Sequence, residues 1–438
     1  MTVTCYPTAT DSLDTWLSYL ETSHSKVIDL GLERIKSVAC ALDLLKPAPY
    51  VITVAGTNGK GSTCKFLETA LLKAGKQVGV YSSPHLMRYN ERVRINGELL
   101  DDEAHIRSFV KITENKTASL SYFEYSTLSA LDLFKQANLD VVILEVGLGG
   151  RLDATNIVDP DFAVITSIDI DHIAFLGDNR EDIGREKAGI FRKNIPVVIG
   201  EKDCPNSIIE QIKSLQCHAF FCGKDFQYSV NGEYFEWQSN NIHFDNLALP
   251  KIPYPNVATA LAVLTQLPFD ISEQIIRETV SETELTGRFQ FLQSQDFANF
   301  SKKQPLAQVI IDVGHNPHAT RYLSERLIQI KQPNQKIYAI FSALEDKDLV
   351  GIVEPLKTII DEWHCVTLDC FRGQSSQVIL EKMVKTMPSQ IKPNITAYSY
   401  ENMDIATENV FALATEKDIV LVFGSFHTVS DFLLTIKQ

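Results

Sequence analysis

The sequence lacks several features that would place it outside the class of soluble globular proteins. Its 438 residues contain no apolar run close to the roughly 18 residues that a membrane span needs. The N-terminal segment does not combine a basic stretch with an apolar one, so we expect no signal peptide. The eight cysteines are scattered, which argues against a disulfide scaffold and against a zinc site. We therefore predict a soluble cytoplasmic protein with reduced thiols.

Positive charge is in the minority. Lys and Arg total 41 against 55 Asp and Glu, which gives a formal net charge of −14. A surface with this excess of negative charge has no general attraction for nucleic acid or for an anionic membrane. We therefore expect partners that are small molecules, with neither nucleic acid nor membrane among them. Because nothing in the sequence suggests a self-complementary interface, we also expect a monomer.

The hydrophobic pattern is typical of an α/β fold with a mainly parallel sheet, because short apolar runs alternate with longer segments of helical periodicity. Predicted buried strands are Tyr50–Val54, Gln77–Tyr81, Val141–Val146, Ala163–Ser167 and Pro196–Ile199. A second series predicts strands at Gln308–Val313, Lys336–Phe341, Glu362–Thr367 and Ile419–Phe423. The aromatic-rich stretch between Glu201 and Pro250 predicts a small antiparallel region. We place a domain boundary between the two series, giving domains 1–286 and 287–438.

A glycine-rich run, V-I-T-V-A-G-T-N-G-K-G-S-T at 51–63, joins a predicted strand to a predicted helix. Glycines let backbone N–H groups converge on an anion, and the helix N-terminus adds its dipole. Lys60 supplies a cation for phosphates, and Ser62 or Thr63 could reach Mg²⁺. The match to the phosphate-loop pattern is imperfect, because Val54 takes the first glycine position and Gly61 follows the lysine. The run predicts ATP binding, with a glycine-rich turn and a solvated lysine as the alternative.

Further runs carry a resemblance to a known family. They are Y-S-S-P-H-L-M-R-Y-N-E-R-V-R-I-N-G (81–97), L-E-V-G-L-G-G-R-L-D-A-T-N (144–156), G-R-E-K-A-G-I-F (184–191), G-R-F-Q (287–290), D-V-G-H-N-P-H-A (312–319) and G-S-F-H-T-V (424–429). Together with G-T-N-G-K-G-S, they resemble the bacterial dihydrofolate synthase/folylpolyglutamate synthases, relatives of the Mur cell-wall ligases. The resemblance implies a phosphate-loop domain with a mainly parallel sheet, like the central Mur ligase domain. It also implies a smaller, Rossmann-like α/β domain at the C-terminus.

The same resemblance implies an activity. Such enzymes use ATP to join L-glutamate to 7,8-dihydropteroate and to extend glutamate chains on reduced folates such as tetrahydrofolate. The N-terminal domain would bind ATP, Mg²⁺ and the pterin, and the C-terminal domain would contribute to ATP and glutamate binding. The implied cofactors are ATP and Mg²⁺ at two sites, with a monovalent cation as a further candidate.

The resemblance also assigns nucleotide and metal contacts. The implied ATP-binding residues are Gly56, Thr57, Asn58, Gly59, Lys60, Gly61, Ser62, Asn256, Arg288 and Asp312. The implied Mg²⁺ ligands are Ser83, Glu145, His172 and, if it is carbamylated, Lys187. Lys60, Glu145, His172 and Lys187 are accordingly the candidate catalytic residues.

Chemistry alone supports these metal ligands unequally. A carboxylate at the end of a buried strand, such as Glu145, is costly without a cation or hydrogen-bond network. Imidazole is an uncommon Mg²⁺ ligand, so the assignment of His172 depends on the resemblance. Ser82 is an alternative to Ser83, and Lys187 could instead form an ion pair with a neighbouring glutamate on a helix surface.

The remaining assignments concern the two organic substrates. The resemblance implies dihydropteroate contacts at Ile28, Asp29, Leu30, Leu152, Asp153 and Ala154, and glutamate contacts at His315 and Ser425. Phe123 could stack on the flat pterin ring or could be a core aromatic residue.

Three other functions remain open at this stage. A folylpolyglutamate synthase without dihydrofolate synthase activity would keep most of the motifs. A Mur-type peptidoglycan ligase is disfavoured, since only about 50 residues precede Gly56, fewer than a typical domain. A regulatory ATPase switch would leave the combination of Ser83, Glu145, His172 and Lys187 unexplained.

Overall fold

A computed structural model of the chain describes residues 6–26, 28–300, 304–386 and 396–437. The chain divides into two compact units, Met1–Thr283 and Glu284–Gln438. The division lies close to the boundary that the sequence predicts after residue 286. Within the described ranges, no helix is both long enough and apolar enough to cross a membrane.

The first unit is built around an eight-stranded sheet. Its strands are β1 Tyr50–Ala55, β2 Val78–Tyr81, β3 Val93–Ile95, β4 Glu98–Leu99, β5 Val141–Glu145, β6 Phe162–Ile165, β7 Pro196–Ile199 and β8 His218–Phe221. They lie in the order β4-β3-β2-β5-β1-β6-β7-β8, and only the β2–β3 and β3–β4 pairs are antiparallel among these described strands. Every residue of β5 and β6 is buried, so both faces of the sheet centre are covered, as their runs of Val and Ile predict.

Ten α-helices accompany the strands in the described part of this unit. They are α1 Leu13–Thr22, α2 Glu33–Ala41, α3 Lys60–Lys73, α4 Asp102–Asn115, α5 Tyr122–Gln136, α6 Ile173–Leu176, α7 Arg180–Ala188, α8 Asn206–Leu215, α9 Tyr254–Leu264 and α10 Glu273–Glu282. Helix α5 begins with a capping box, in which the Ser121 hydroxyl accepts from the Glu124 N–H and the Glu124 carboxylate accepts from the Ser121 N–H. The sequence therefore marks the start of this helix, although its helical periodicity alone predicts a helix only over Ser126–Ala137.

A small antiparallel sheet follows, with strands β9 Phe226–Asn231, β10 Tyr234–Ser239 and β11 His243–Ala248. The prediction of an antiparallel region for all of 201–250 is therefore only partly right. Its first half forms helix α8, which buries Ile208 and Ile212, and strand β8, which pairs in parallel with β7. The high density of aromatic residues in this stretch led the sequence analysis to miss α8 and β8, which extend the α/β pattern.

The second unit contains a six-stranded sheet. Its strands are β12 Gln290–Phe291, β13 Gln308–Asp312, β14 Ile337–Phe341, β15 Glu362–Val366, β16 Thr396–Tyr400 and β17 Ile419–Phe423. Its helices are α11 Pro317–Ile330, α12 Leu349–Val353, α13 Ser376–Thr386, α14 Met403–Leu413 and α15 Phe426–Thr435. The order is β12-β13-β17-β14-β15-β16, parallel except for β12, which agrees with the Rossmann-like expectation. The sequence did not predict β16, because no residue of this edge strand is fully buried and its apolar pattern is weak.

Candidate functional site

Four neighbouring strands of the first unit end at one edge of the sheet, and each is followed by a predicted site segment. The phosphate loop follows β1, Ser83 follows β2, Glu145 ends β5, and the segment leading to His172 follows β6. These strands are adjacent in the order β2-β5-β1-β6 and are parallel. Ligands in open α/β sheets bind beyond the carboxyl ends of the strands. The topology therefore assembles the predicted nucleotide and metal residues of these four segments at one edge of the sheet.

The glycines of the phosphate loop are required by its geometry. Gly59 has φ +87° and caps helix α3, which begins at Lys60. A Cβ on Gly59 would collide with the Asn256 side chain, and one on Gly56 would collide with the Thr166 hydroxyl. The structure thus brings Asn256 against the phosphate loop from a helix about 200 residues further along the chain.

Hydrogen bonds from the segment after β6 hold the phosphate loop. The N–H of Thr57 donates to the Ser167 carbonyl at 2.8 Å, and the N–H of Asn58 donates to the Ser167 hydroxyl at 3.0 Å. The Thr166 hydroxyl donates to the Asn58 carbonyl at 2.6 Å, and the Thr57 hydroxyl donates to the Asp169 carbonyl at 3.0 Å. The loop conformation is therefore fixed by its neighbours, which reduces the ordering cost of binding an anion.

The start of helix α3 offers polar groups that suit a nucleotide–metal complex. Lys60 Nζ donates to the Gly56 carbonyl at 3.0 Å and lies over its own loop. The Ser62 and Thr63 hydroxyls are buried and have no hydrogen-bond partner among the described residues. A buried hydroxyl without a partner is costly. An incoming phosphate or a metal ion with its waters would satisfy these hydroxyls, so the residues present fit ATP and a divalent cation.

Glu145 and Ser83 are in direct contact. Glu145 is buried, with 4% of its surface exposed, and its Oε2 accepts from the Ser83 N–H at 3.3 Å. The Ser82 hydroxyl accepts from Arg94 at 3.1 Å, whereas Ser83 lines a cavity that His172 also lines. Of the two alternatives, Ser83 is therefore the better candidate ligand.

Within the described ranges, no group of three or more His, Cys, Asp or Glu side chains is arranged to hold a metal. The predicted ligand set contains only two residues of these types, Glu145 and His172, next to Ser83 and Lys187. Mg²⁺ commonly keeps several waters and takes the rest of its ligands from one or two carboxylates and from substrate phosphates. The arrangement therefore suits an ion that arrives with the nucleotide.

Lys187 is buried on helix α7, with 4% of its surface exposed. Its side-chain nitrogen makes no hydrogen bond or ion pair with any described residue. The glutamates that could have paired with it are engaged elsewhere, since Arg151 binds Glu186 at 2.8 Å and the Ser207 N–H donates to Glu181 at 2.8 Å. The alternative of a surface ion pair is therefore wrong.

Burial and the nearby Lys60 ammonium lower the pKa of Lys187 to about 7, against weaker opposing effects of Asp171 and Asp153. An amine with this pKa is largely neutral just above neutral pH. Neutral amine is the form that reacts with CO₂ to give a carbamate, which would place an anion near Lys60. The environment of Lys187 thus suits the carbamylation that the resemblance implies.

A cavity of about 260 Å³ brings together the predicted dihydropteroate contacts. Its lining includes all seven of them, Ile28, Asp29, Leu30, Phe123, Leu152, Asp153 and Ala154, and also Ser83 and His172. These residues come from separate segments that together span more than 100 positions of the chain. The predicted dihydropteroate residues and two of the predicted metal ligands therefore face the same space.

Phe123 forms part of the cavity wall and is only partly buried. Its ring packs so closely on Gly147 that a Cβ there would lie 2.5 Å from Phe123 Cζ. The Tyr81 ring lies 6.0 Å away on the inner side. The ring is thus fixed in place and contributes to the cavity, which favours the stacking role over that of a core residue.

The two predicted acidic contacts are already well bonded. Asp153 is 3% exposed; it accepts from the Thr155 N–H and hydroxyl at 3.0 and 2.7 Å and from the Leu148 N–H at 2.8 Å. Burial raises the pKa of Asp153 despite these bonds. A carboxylate has about four acceptor positions, so the loop itself uses most of this capacity. Direct pterin recognition by Asp153 stays a prediction.

Asp29 is surrounded by basic side chains. Its carboxylate lies 2.8 Å from Arg34, 3.0 Å from His24 and 3.2 Å from Lys26. The hydrogen bonds from His24 and Lys26 lower the pKa of Asp29. These contacts anchor the 28–31 segment at the cavity.

Two charged residues of the cavity lining were missed. Arg92 is 8% exposed, its Nε donates to His85 Nδ1 at 2.9 Å, and its guanidinium lies over the Tyr122 ring. In the described part of the chain no carboxylate pairs with Arg92, so its charge is available to an anionic ligand. Glu124 is buried and accepts from Arg34 at 3.1 Å. Arg92 lies within the 81–97 run, and Glu124 belongs to the capping box of α5, so each carried a signal in the sequence.

Of the predicted residues of the second unit, Asp312 ends β13, His315 and Ser425 follow β13 and β17, which are adjacent, and Arg288 precedes β12. The Arg288 guanidinium lies 5.4 Å from the centre of the Phe426 ring, and the His315 ring lies 6.2 Å from it. Ser425 caps helix α15, and its hydroxyl accepts from the Thr428 N–H at 2.9 Å. Arg288 and His315 thus lie beside one aromatic ring, that of the residue that follows Ser425.

The Asp312 carboxylate is held by hydrogen bonds from two backbone N–H groups. Its carboxylate accepts from the Phe289 N–H at 2.8 Å and from the Gly314 N–H at 2.7 Å. Burial raises the pKa of Asp312, and the nearby Arg288 opposes this effect. Asp312 therefore fixes the backbone next to Arg288.

Comparison with known proteins gives consistent matches. The Mur ligase middle domain matches residues 54–264, and the Mur ligase glutamate ligase domain matches residues 287–426. A dihydrofolate synthase/folylpolyglutamate synthase of Haemophilus influenzae is 55% identical over 98% of both chains, and that of Escherichia coli is 47% identical over 98% of this chain and 97% of its own.

Comparison with solved structures gives the same family. E. coli FolC in complex with DHPP and ADP has a TM-score of 0.91 at 46% identity, with 98% of this chain and 99% of that chain covered. A bifunctional folylpolyglutamate synthase/dihydrofolate synthase with Mn, AMPPNP and L-glutamate bound has a TM-score of 0.88 at 46% identity, with 99% of this chain and all of that chain covered.

The two matched domains and the phosphate-loop site define the class as Mur-type ligases. Within that class, the chain belongs to the dihydrofolate synthase/folylpolyglutamate synthase family.

Proposed function

We propose that this protein is an ATP-dependent ligase with two related activities. It joins L-glutamate to 7,8-dihydropteroate to form dihydrofolate, and it adds L-glutamate to tetrahydrofolate and its polyglutamates. The observation that carries the proposal is the cavity in which the seven predicted dihydropteroate residues meet Ser83 and His172. Relatives that are 47–55% identical over nearly the whole chain bear both activities in their names.

The reaction requires activation, because a carboxylate oxygen is a poor leaving group. The terminal phosphoryl group of ATP passes to the substrate carboxylate, which gives an acyl phosphate and ADP. The glutamate amine then attacks the acyl carbon, the C–O bond to phosphate breaks, and inorganic phosphate leaves as the amide forms. Each cycle therefore releases one ADP for each glutamate added.

Residues of the first unit have separate roles in this reaction. The phosphate loop binds the β- and γ-phosphates, and Lys60 neutralises charge as the phosphoryl group moves. Ser83, Glu145, His172 and carbamylated Lys187 would hold divalent cations, which neutralise the phosphate charges when bound. Asn256, seated against Gly59, contributes to the nucleotide site.

The second unit is proposed to complete the substrate set. Arg288 and Asp312 would contribute nucleotide contacts, and His315 and Ser425 would contribute to glutamate binding. The grouping of His315 and Arg288 around Phe426 supports a ligand site at the ends of β13 and β17. We propose a monomer with domains 1–286 and 287–438 as its functional parts.

ADP release from the purified protein tests the function. With ATP, Mg²⁺ and L-glutamate, we expect turnover with 7,8-dihydropteroate and with tetrahydrofolate. Turnover with tetrahydrofolate alone would leave a folylpolyglutamate synthase and remove the dihydropteroate assignments. If neither acceptor caused ADP release, the proposed function would be refuted.

The stacking role of Phe123 has its own test. Phe123→Leu keeps an apolar side chain but loses the flat ring, and stacking on a fused ring is worth about 1–3 kcal/mol. We therefore expect KM for 7,8-dihydropteroate to rise at least about fivefold while KM for ATP stays unchanged. If Phe123 were only a core residue, the melting temperature would fall and both KM values would stay the same.

A further inference from the structure

A buried ion pair joins the phosphate-loop helix to strand β3. Glu68 on α3 has a fully buried side chain, and Arg94 on β3 is 13% exposed. Arg94 Nε lies 3.0 Å from each carboxylate oxygen of Glu68. Burying two charges is expensive, and hydrophobic residues would often serve stability as well. The cost of burying these two charges indicates that the pair has a role besides stability.

Arg94 also reaches the segment that carries Ser83. Its Nη1 donates to the Ser82 hydroxyl at 3.1 Å and to the Glu91 carbonyl at 3.4 Å. The next residue, Ser83, donates its N–H to Glu145. Ser83 therefore lies between two anchors, Glu145 at the end of β5 and Arg94, which is itself tied to α3.

The segment after Ser83 is fixed at its other end. The Glu91 carboxylate accepts from the N–H groups of Leu86, Met87 and Arg88 at 2.7, 2.8 and 2.8 Å. This closes the segment into a rigid turn, whose carbonyl at Glu91 is the one that Arg94 binds. A displacement of Arg94 is thus transmitted to the whole turn that starts at Ser83.

We propose that Arg94 and Glu68 are a positioning pair that sets the place of Ser83 relative to the phosphate-loop helix, and so determines the affinity for the divalent cation bound with the nucleotide. The pair itself contacts neither metal nor substrate. Residues that orient metal ligands typically change metal affinity by about 10- to 100-fold when they are removed. The proposal rests on the proposed function, because it takes Ser83 as a ligand of the nucleotide-bound ion.

The test measures binding rather than turnover. For Arg94→Met, we expect the Kd of Mn²⁺ in the presence of AMPPNP to rise about 10- to 100-fold, as measured by electron paramagnetic resonance. Nucleotide affinity in EDTA should stay within about twofold of the wild type, because the phosphate loop is intact. Lys65→Met is the matched control, since Lys65 also binds Glu68, at 3.1 Å, but does not contact Ser82. It should leave the Kd of Mn²⁺ unchanged.

A second variant separates positioning from folding. Arg94→Met leaves Glu68 buried without its main partner, so the double variant Arg94→Met/Glu68→Leu removes both charges. It should regain thermal stability and still bind Mn²⁺ weakly. An unchanged Kd of Mn²⁺ in either variant would overturn the proposal. Failure of the wild-type protein to bind Mn²⁺ with AMPPNP would instead refute the proposed function, so the two failures are distinguishable.

Discussion

Replacing Lys60 by alanine is expected to lower the rate of ATP-dependent ligation about 100- to 1,000-fold with either pterin acceptor. The variant loses the ammonium that neutralises the phosphoryl group in transit, and removing one such donor typically costs that much in kcat. The rate of ADP release under saturating ATP, Mg²⁺ and L-glutamate measures the effect. The Lys60 ammonium donates to carbonyls of its own loop, those of Gly56 and Thr57, so we expect the melting temperature to change little.

Lys65→Ala provides the control for Lys60→Ala. Lys65 lies on the same helix, carries the same charge and is 26% exposed, but it pairs with Glu68 on its own helix. It should retain ligation within a few-fold of the wild type. Near-normal ligation by Lys60→Ala, or by Glu145→Ala, would show that the phosphate and metal site has been placed wrongly.

Lys187→Met is expected to lower ligation by about 100-fold or more, since it removes the carbamate proposed as a metal ligand. The exposed Lys193, which follows α7, offers the control variant Lys193→Met, which should ligate normally. In [¹³C]bicarbonate, the wild-type protein should show a carbamate ¹³C resonance that is absent from Lys187→Met. A wild-type protein without this resonance, or an active Lys187→Met variant, would contradict carbamylation.

The pH dependence gives a further readout for Lys187. Its pKa of about 7 lies well below the usual 10.5, because burial and Lys60 disfavour the ammonium. Only the neutral amine reacts with CO₂, so carbamate formation should increase as the pH rises through about 7. An ordinary exposed lysine would show that increase near 10.5 instead. The carbamate resonance followed from pH 6 to pH 9 distinguishes these two cases.

The parts of the site that are local in sequence were predictable. The run 51–63 predicts a strand, a glycine-rich turn and a helix, and β1 and α3 are found there because the glycines permit backbone conformations closed to other residues. Strands β7 and β17 have the predicted bounds, since their continuous apolar runs are covered on both faces. The prediction failed at α8 and β8, where dense aromatic residues conflict with the α/β pattern. It also failed at β16, where the apolar pattern is weak.

The cavity shows the limit of local prediction. Ile28–Leu30 and Leu152–Ala154 were identified through a family resemblance, and Phe123 through its flat aromatic ring, since no periodicity or spacing relates segments so far apart. Arg92 and Glu124 belong to the same cavity and were missed, because a charged residue in a sequence run does not reveal whether its side chain is buried. Burial depends on which elements pack together.

The sequence by itself determined the phosphate loop, most of the sheet strands and the family, because each is carried by runs of residues that are neighbours in the chain. Only the tertiary structure decided that Lys187 is buried beside Lys60 without an acidic partner, and that Arg94 connects Glu68 to the Ser83 segment. Such properties arise when distant segments exclude water from one another, since a charge is costly only where solvent and partners are missing. The chemistry of the site was encoded locally, whereas its electrostatics came from the packing.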